Sequence, residues 1–174
     1  MLEAYQSTLP FVLDEFQREA SIKLERSRGV LVSAPTSSGK TVVADYVIWR
    51  RLEAPPALRR HETVAADVVY TTPLKALSNQ KYQDLCARFG EHRIGLVTGE
   101  HTLNDGAPVL VMTTEILRNV LYDEPARVDR VGDAVLHEVQ YLADHPRGTG
   151  REERLNTAPA PLLPTRPSAP QTPR

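Results

Sequence analysis

Residues Ala34-Pro35-Thr36-Ser37-Ser38-Gly39-Lys40-Thr41 follow a short apolar run, Gly29 to Ser33, and open a helical pattern that lasts to Leu52. Four variable residues and then Gly-Lys-Ser/Thr, set between a strand and a helix, spell a phosphate-binding loop; Ala34 stands where a first glycine is common. The spacing has a chemical reason. A tight turn aims successive backbone N–H groups at one phosphate, and the helix N-terminus adds the positive end of its dipole. Gly39 lets the backbone approach closely, Lys40 neutralises the outer phosphates and the Thr41 hydroxyl can ligate Mg²⁺. The expected nucleotide contacts are Pro35, Thr36, Ser37, Ser38, Gly39, Lys40 and Thr41. Such a loop obliges a strand to turn directly into a helix at its C-terminal end.

The rest of the chain repeats that rhythm. Leu13, Phe16, Ala20 and Leu24 mark one face of an opening helix. Strands are expected at Gly29–Ser33, Asp67–Thr71, Ile94–Thr98, Pro108–Met112 and Ala134–Val139, and helices at Lys40–Leu52, Leu74–Phe89 and Thr114–Leu121. Strand alternating with helix means crossovers, a parallel sheet and helices on both faces, an α/β fold. Glu53–Thr63, with Pro55-Pro56 and Arg59-Arg60-His61, reads as an exposed loop. Six of the 14 prolines fall between Pro159 and Pro173, and no aromatic residue follows Tyr141. Residues 154–174 are therefore expected to be a Pro-rich disordered tail behind a domain spanning 1–153.

Composition sets outer limits. A chain of 174 residues suits one domain, and 41% hydrophobic with 25% charged residues excludes disorder throughout. The single Cys86 excludes an internal disulfide. His61, His92, His101, His137 and His145 are too scattered to suggest a zinc site. A formal net charge of −1 gives no global attraction to nucleic acid, so any such contact is local. Without an apolar run of ~18–20 residues or a secretory leader, no membrane association and a cytoplasmic location are expected.

Further motifs carry a family likeness. APTSSGKT, TTPLKALSNQKY, VTGE, MTTEILRN, EVQYLAD and the pair Arg147-Gly148 occur in this order. Together they resemble the first, RecA-like lobe of superfamily-2 DExD/H-box helicases, most of all the superkiller-type RNA helicases and their bacterial relatives. The likeness runs from about Phe11 to Glu153. It implies ATP and Mg²⁺ as cofactors and single-stranded nucleic acid as partner, RNA more than DNA. Gln17, on an adenine-side helix at about residues 11–26, matches the adenine-recognising glutamine. Pro73, Lys75, Asn79, Gln80, Gly99 and Thr114 match positions that grip the nucleic-acid backbone without reading sequence. Thr114 would serve equally as the N-cap of its helix.

Two departures qualify the likeness. Where the family has Asp-Glu, the chain has His137-Glu138. By resemblance Glu138 positions or deprotonates the attacking water, with Lys40 the other catalytic residue. Imidazole is a poor substitute for the carboxylate on the magnesium side, because Mg²⁺ takes hard oxygen ligands. Second, after Glu153 no apolar strand and no Ser-Ala-Thr motif follow, so the lobe is expected to be incomplete at its C-terminal end, without its closing strand. The implied function is the ATP- and nucleic-acid-binding lobe of an RNA helicase, unable to hydrolyse or unwind efficiently alone, with a second lobe possible in trans. The alternatives are an inactive nucleotide- or RNA-binding module and a truncated or frameshifted remnant. A kinase or GTPase has no use for TTPLKALSNQKY, and no Asn-Lys-x-Asp guanine-reading motif occurs.

Overall fold

The computed structural model describes residues 1–35, 37–55, 57, 67–123, 131–137 and 154–159. The elements in chain order are α1 (Leu2–Gln6), α2 (Glu15–Arg26), β1 (Val30–Ser33), α3 (Lys40–Leu52), β2 (Asp67–Thr72) and α4 (Lys75–Phe89). After a 3-10 turn at Glu91–Arg93 come β3 (Ile94–Val97), β4 (Thr102–Leu103), β5 (Val109–Thr113), α5 (Thr114–Asp123), β6 (Val131–Leu136) and β7 (Arg154–Pro159). They build one seven-stranded sheet in the order β1-β7-β6-β2-β5-β3-β4. Strands β6, β2, β5 and β3 run parallel, as expected, while β4 and β7 run antiparallel to their neighbours. The sheet is thus mixed and mostly parallel.

Strand residues divide by parity between two apolar layers, which is what burial on both faces requires. Val32, Val68, Tyr70, Leu96, Val109, Val111 and Val135 point to the layer built with Tyr5, Leu24, Val43, Val47, Leu85 and Phe89 from the first four helices. Val69, Leu110 and Met112 point the other way, to a smaller layer closed by Leu117 of α5. α3 is buried along most of its length, from Val43 to Trp49. α4 ends at Gly90, whose φ of 94° is the left-handed exit that glycine accepts without strain.

Beyond the two-residue β4, two elements were not expected. α1 is too short to hold itself together and exists by docking: Tyr5 is fully buried, with its ring 5.1 Å from Tyr46 and 5.4 Å from Trp49. Its hydroxyl donates to the Val42 carbonyl at 3.1 Å and accepts from Arg88 at 3.2 Å. Burial pushes that phenol up to about 12, so it stays a neutral donor. Arg88 also pairs with Asp45, tying the end of α4 to α3.

The second is β7. Residues Arg154–Pro159, assigned above to the tail, pair antiparallel with β1 on one side and β6 on the other. The sheet position between those strands is filled rather than lost. Between two strands with open N–H and C=O rows the backbone supplies the bonds, whatever the side chains; Pro159, which lacks a donor, stands at the strand's end. The remainder of the tail, 160–174, and most of the Glu53–Thr63 loop lie outside the described residues. Among the described residues, no helix is long and apolar enough to cross a membrane.

Candidate nucleotide and nucleic-acid site

Because β7 is antiparallel to both β1 and β6, β1 runs parallel to the central strands. The C-terminal ends of β1, β6, β2, β5 and β3 therefore share one sheet edge, where open α/β sheets bind ligands. Apart from Gln17 on α2, and Glu138 outside the described residues, the predicted site segments follow these ends: residues 34–41 after β1, His137 after β6, Pro73 and Lys75 after β2, Thr114 after β5, and Gly99 after β3.

At the phosphate loop, Gly39 is the N-cap of α3 with φ 82°. A side chain there would be strained, and its Cβ would lie 2.5 Å from Gln17 Nε2. Ser37 is also left-handed, at φ 67°, so the loop doubles back twice before the helix starts. α3 has no acidic residue in its first turn and no side-chain cap, which leaves its dipole and leading N–H groups available to an anion. Lys40 Nζ folds back onto the loop and donates to the Ala34 carbonyl at 2.5 Å and the Pro35 carbonyl at 3.2 Å. The Ser38 hydroxyl is buried with no hydrogen-bond partner among the described residues. A cationic amine, an orphaned hydroxyl and an uncapped helix start fit a phosphate chain. Thr36 lies outside the described residues.

Gln17 is brought directly against this loop and is only 4% exposed. Its Oε1 accepts from the Asp14 N–H at 2.9 Å and its Nε2 donates to the Gly39 carbonyl at 3.2 Å. Asp14 and Gln17 form a reciprocal capping box at the start of α2. Each amide atom keeps one further hydrogen-bonding valence, so contact with a base is compatible with this role as a brace. Gln17→Ala is expected to cost about 1–2 kcal/mol, lowering the melting temperature by about 2–8 °C in a thermal unfolding experiment. An unchanged melt would show that the brace carries no load.

On the magnesium side the fit is poorer. The His137 N–H donates to the Thr71 carbonyl at 3.1 Å, and its ring lies against Tyr70 with centroids 6.0 Å apart and planes at 26°. Thr41 is partly buried in the first turn of α3. Among the described residues no group of three or more His, Cys, Asp or Glu side chains could hold a metal ion, and Glu138 lies outside them.

The positions expected to grip a strand lie at or just beyond the ends of β2, β5 and β3. Pro73 and Leu74 lead from β2 into α4, Leu74 capping it without a side-chain bond. Asn79 and Gln80 are exposed on the first turns of α4. Thr72 Oγ1 and Ser78 Oγ share a 2.6 Å hydrogen bond beneath them. The Thr114 hydroxyl donates to the Thr72 carbonyl at 3.3 Å, joining the β5 and β2 ends. Thr113, not Thr114, does the capping: its hydroxyl accepts the Ile116 N–H at 3.4 Å. Gly99 sits exposed at the tip of the turn between β3 and β4, with open space around it.

Residues 14–167 match the DEAD/DEAH box helicase family, and the chain belongs to it. Among its relatives, the probable helicase HelY of Mycobacterium leprae is 47% identical over 152 residues, covering 87% of this chain and 15% of that protein. The ATP-dependent RNA helicase mtr4 of Schizosaccharomyces pombe is 45% identical over 152 residues, 87% of this chain and 12% of that one. The human exosome RNA helicase MTR4 is 43% identical over 150 residues, 86% and 13%. The chain thus spans only about a seventh of such relatives. A hypothetical ATP-dependent RNA helicase from Sulfolobus tokodaii superposes with a TM-score of 0.58 at 16% identity, over 82% of this chain and 42% of that one, a likeness of fold.

Proposed function

We propose that these residues form the ATP- and nucleic-acid-binding lobe of an RNA helicase, one that holds nucleotide and strand but neither hydrolyses nor unwinds efficiently without further parts. The observation that carries the reading is the shared sheet edge. A phosphate loop with its lysine folded over it lies beside a row of strand ends bearing Pro73, Lys75, Gly99 and Thr114. RNA is the preferred strand because several relatives are named RNA helicases. Unwinding needs a second lobe that closes on ATP, and that lobe would act with this one as a partner. Bound ATP would supply the phosphoanhydride whose charge Lys40 and the start of α3 offset. Mg²⁺ would rest on Thr41, and His137 gives it little.

The test is a titration with a fluorescent ATP analogue, with and without Mg²⁺. Saturable binding that changes less than about threefold with Mg²⁺ is expected. In His137→Asp, Mg²⁺ is expected to tighten binding by about 10-fold or more, the scale on which a supporting carboxylate raises metal affinity. A folded chain that binds no nucleotide would overturn the reading. Strong Mg²⁺ dependence in the unsubstituted chain would overturn the role given to His137.

A further inference from the structure

The rim proposed to hold a nucleic-acid strand is spanned by an ion pair within the chain: Lys75 Nζ bonds the Glu100 carboxylate. Lys75 opens α4 after β2, and Glu100 stands in the turn after β3. Strand β5 lies between β2 and β3 in the sheet. The pair therefore crosses the end of β5, where Thr113 and Thr114 start α5.

Three features set Glu100 in the place of an anionic ligand. α4 has no acidic residue in its first turn and no side-chain cap, so its start lacks an anion of its own. The turn that brings Glu100 is held in shape: the Thr98 N–H donates to the His101 carbonyl at 2.8 Å, and the His101 N–H donates to Thr98 Oγ1 at 3.1 Å. Beside Glu100, Gly99 has nothing around it. A firm hairpin tip thus holds out one carboxylate on an open side. The pair is also easy to part, for its side chains are 39% and 70% exposed, and exposed ion pairs contribute little to stability.

We propose that Glu100 is an intramolecular stand-in for a strand phosphate, competing with nucleic acid for Lys75. The inference rests on the strand-binding reading above and adds a regulator to it. When a phosphate takes Lys75, Glu100 loses its counter-charge and faces the incoming anion. It weakens binding in both ways, so weak or transient strands are shed.

The test is fluorescence anisotropy with a labelled oligouridylate of about 12 nucleotides at about 50 mM salt, using the full chain. Glu100→Gln keeps the shape of the side chain and is expected to tighten binding about 3–10-fold. Lys75→Ala is expected to weaken it by a similar factor. In the Lys75→Ala background, Glu100→Gln is expected to add less than about twofold. If Lys75→Ala weakens binding while Glu100→Gln leaves it unchanged or weaker, the stand-in is refuted and the strand-binding rim survives. Equal tightening by Glu100→Gln with and without Lys75 would also refute it, since a general loss of negative charge would then suffice. If Lys75→Ala binds as tightly as the unsubstituted chain, Lys75 is not on the strand's path and this part of the reading falls. Binding by none of these proteins overturns both.

Discussion

Lys40→Ala is expected to weaken binding of a fluorescent ATP analogue by about 30–150-fold. The lysine already lies over the loop, its ammonium held by the Ala34 and Pro35 carbonyls. Entry of a phosphate replaces those neutral acceptors with charged oxygens, and hydrogen bonds between ionised partners are shorter and about twice as strong. Losing such an interaction costs about 2–3 kcal/mol, which gives the stated factor. The empty protein loses bonds to neutral loop carbonyls, so its melting temperature should move little. That contrast separates a lost ligand contact from a damaged fold. A dissociation constant within threefold of the unsubstituted chain would show that nucleotide does not meet the loop.

Tyr5→Ala is the substitution expected to cost most in stability, about 3–5 kcal/mol, with a fall in melting temperature of about 6–20 °C. The residue fills space among Tyr46, Trp49 and Arg88 and is fully buried. Alanine would leave a cavity, a Val42 carbonyl without its added donor and an Arg88 without its phenol. Tyr5→Phe keeps the volume and should cost only about 1 kcal/mol. Thermal unfolding followed by circular dichroism reads both. A Tyr5→Ala chain melting within about 2 °C of the parent would mean that α1 is not docked in solution.

The effect would reach the nucleotide loop through named bonds. Gln6 Nε2 donates to the Phe11 carbonyl at 2.7 Å, and its Oε1 accepts the Leu13 N–H at 2.9 Å. Leu13 leads into the Asp14–Gln17 capping box, and Gln17 holds Gly39.

Much of this was legible in the residues because it rests on local signals. α3 begins at Lys40 and ends at Leu52, as its apolar spacing and the prolines beyond it imply. α4 stops at Gly90 for the reason glycine usually stops helices. The phosphate loop was readable since its chemistry demands a contiguous string. What escaped depends on distant partners. α1 has too few residues to show a periodicity and is defined by Tyr46, Trp49 and Arg88, far along the chain. β4 is two residues long and forms as the return arm of a turn. In β7, Arg-Leu-Asn-Thr-Ala-Pro has no strand signature, and only the gap between β1 and β6 gives it that conformation. The Lys75–Glu100 pair joins two motifs that the sequence presents as separate, and nothing in either points to the other.

The pairing of β1 has a consequence for how the chain is made. Among the described strands β1 bonds to β7 alone, with Val30 opposite Thr157 and Ser33 opposite Arg154. The strand that feeds the phosphate loop leaves the ribosome well before its partner, which lies beyond every other strand described. Until then the nascent chain carries Val30–Ser33 with an open ladder, a substrate for chaperones or for wrong pairing. Earliest of the described strands in chain order, β1 is thus among the last to find its place, and the loop behind it stays on an unpaired strand until β7 arrives.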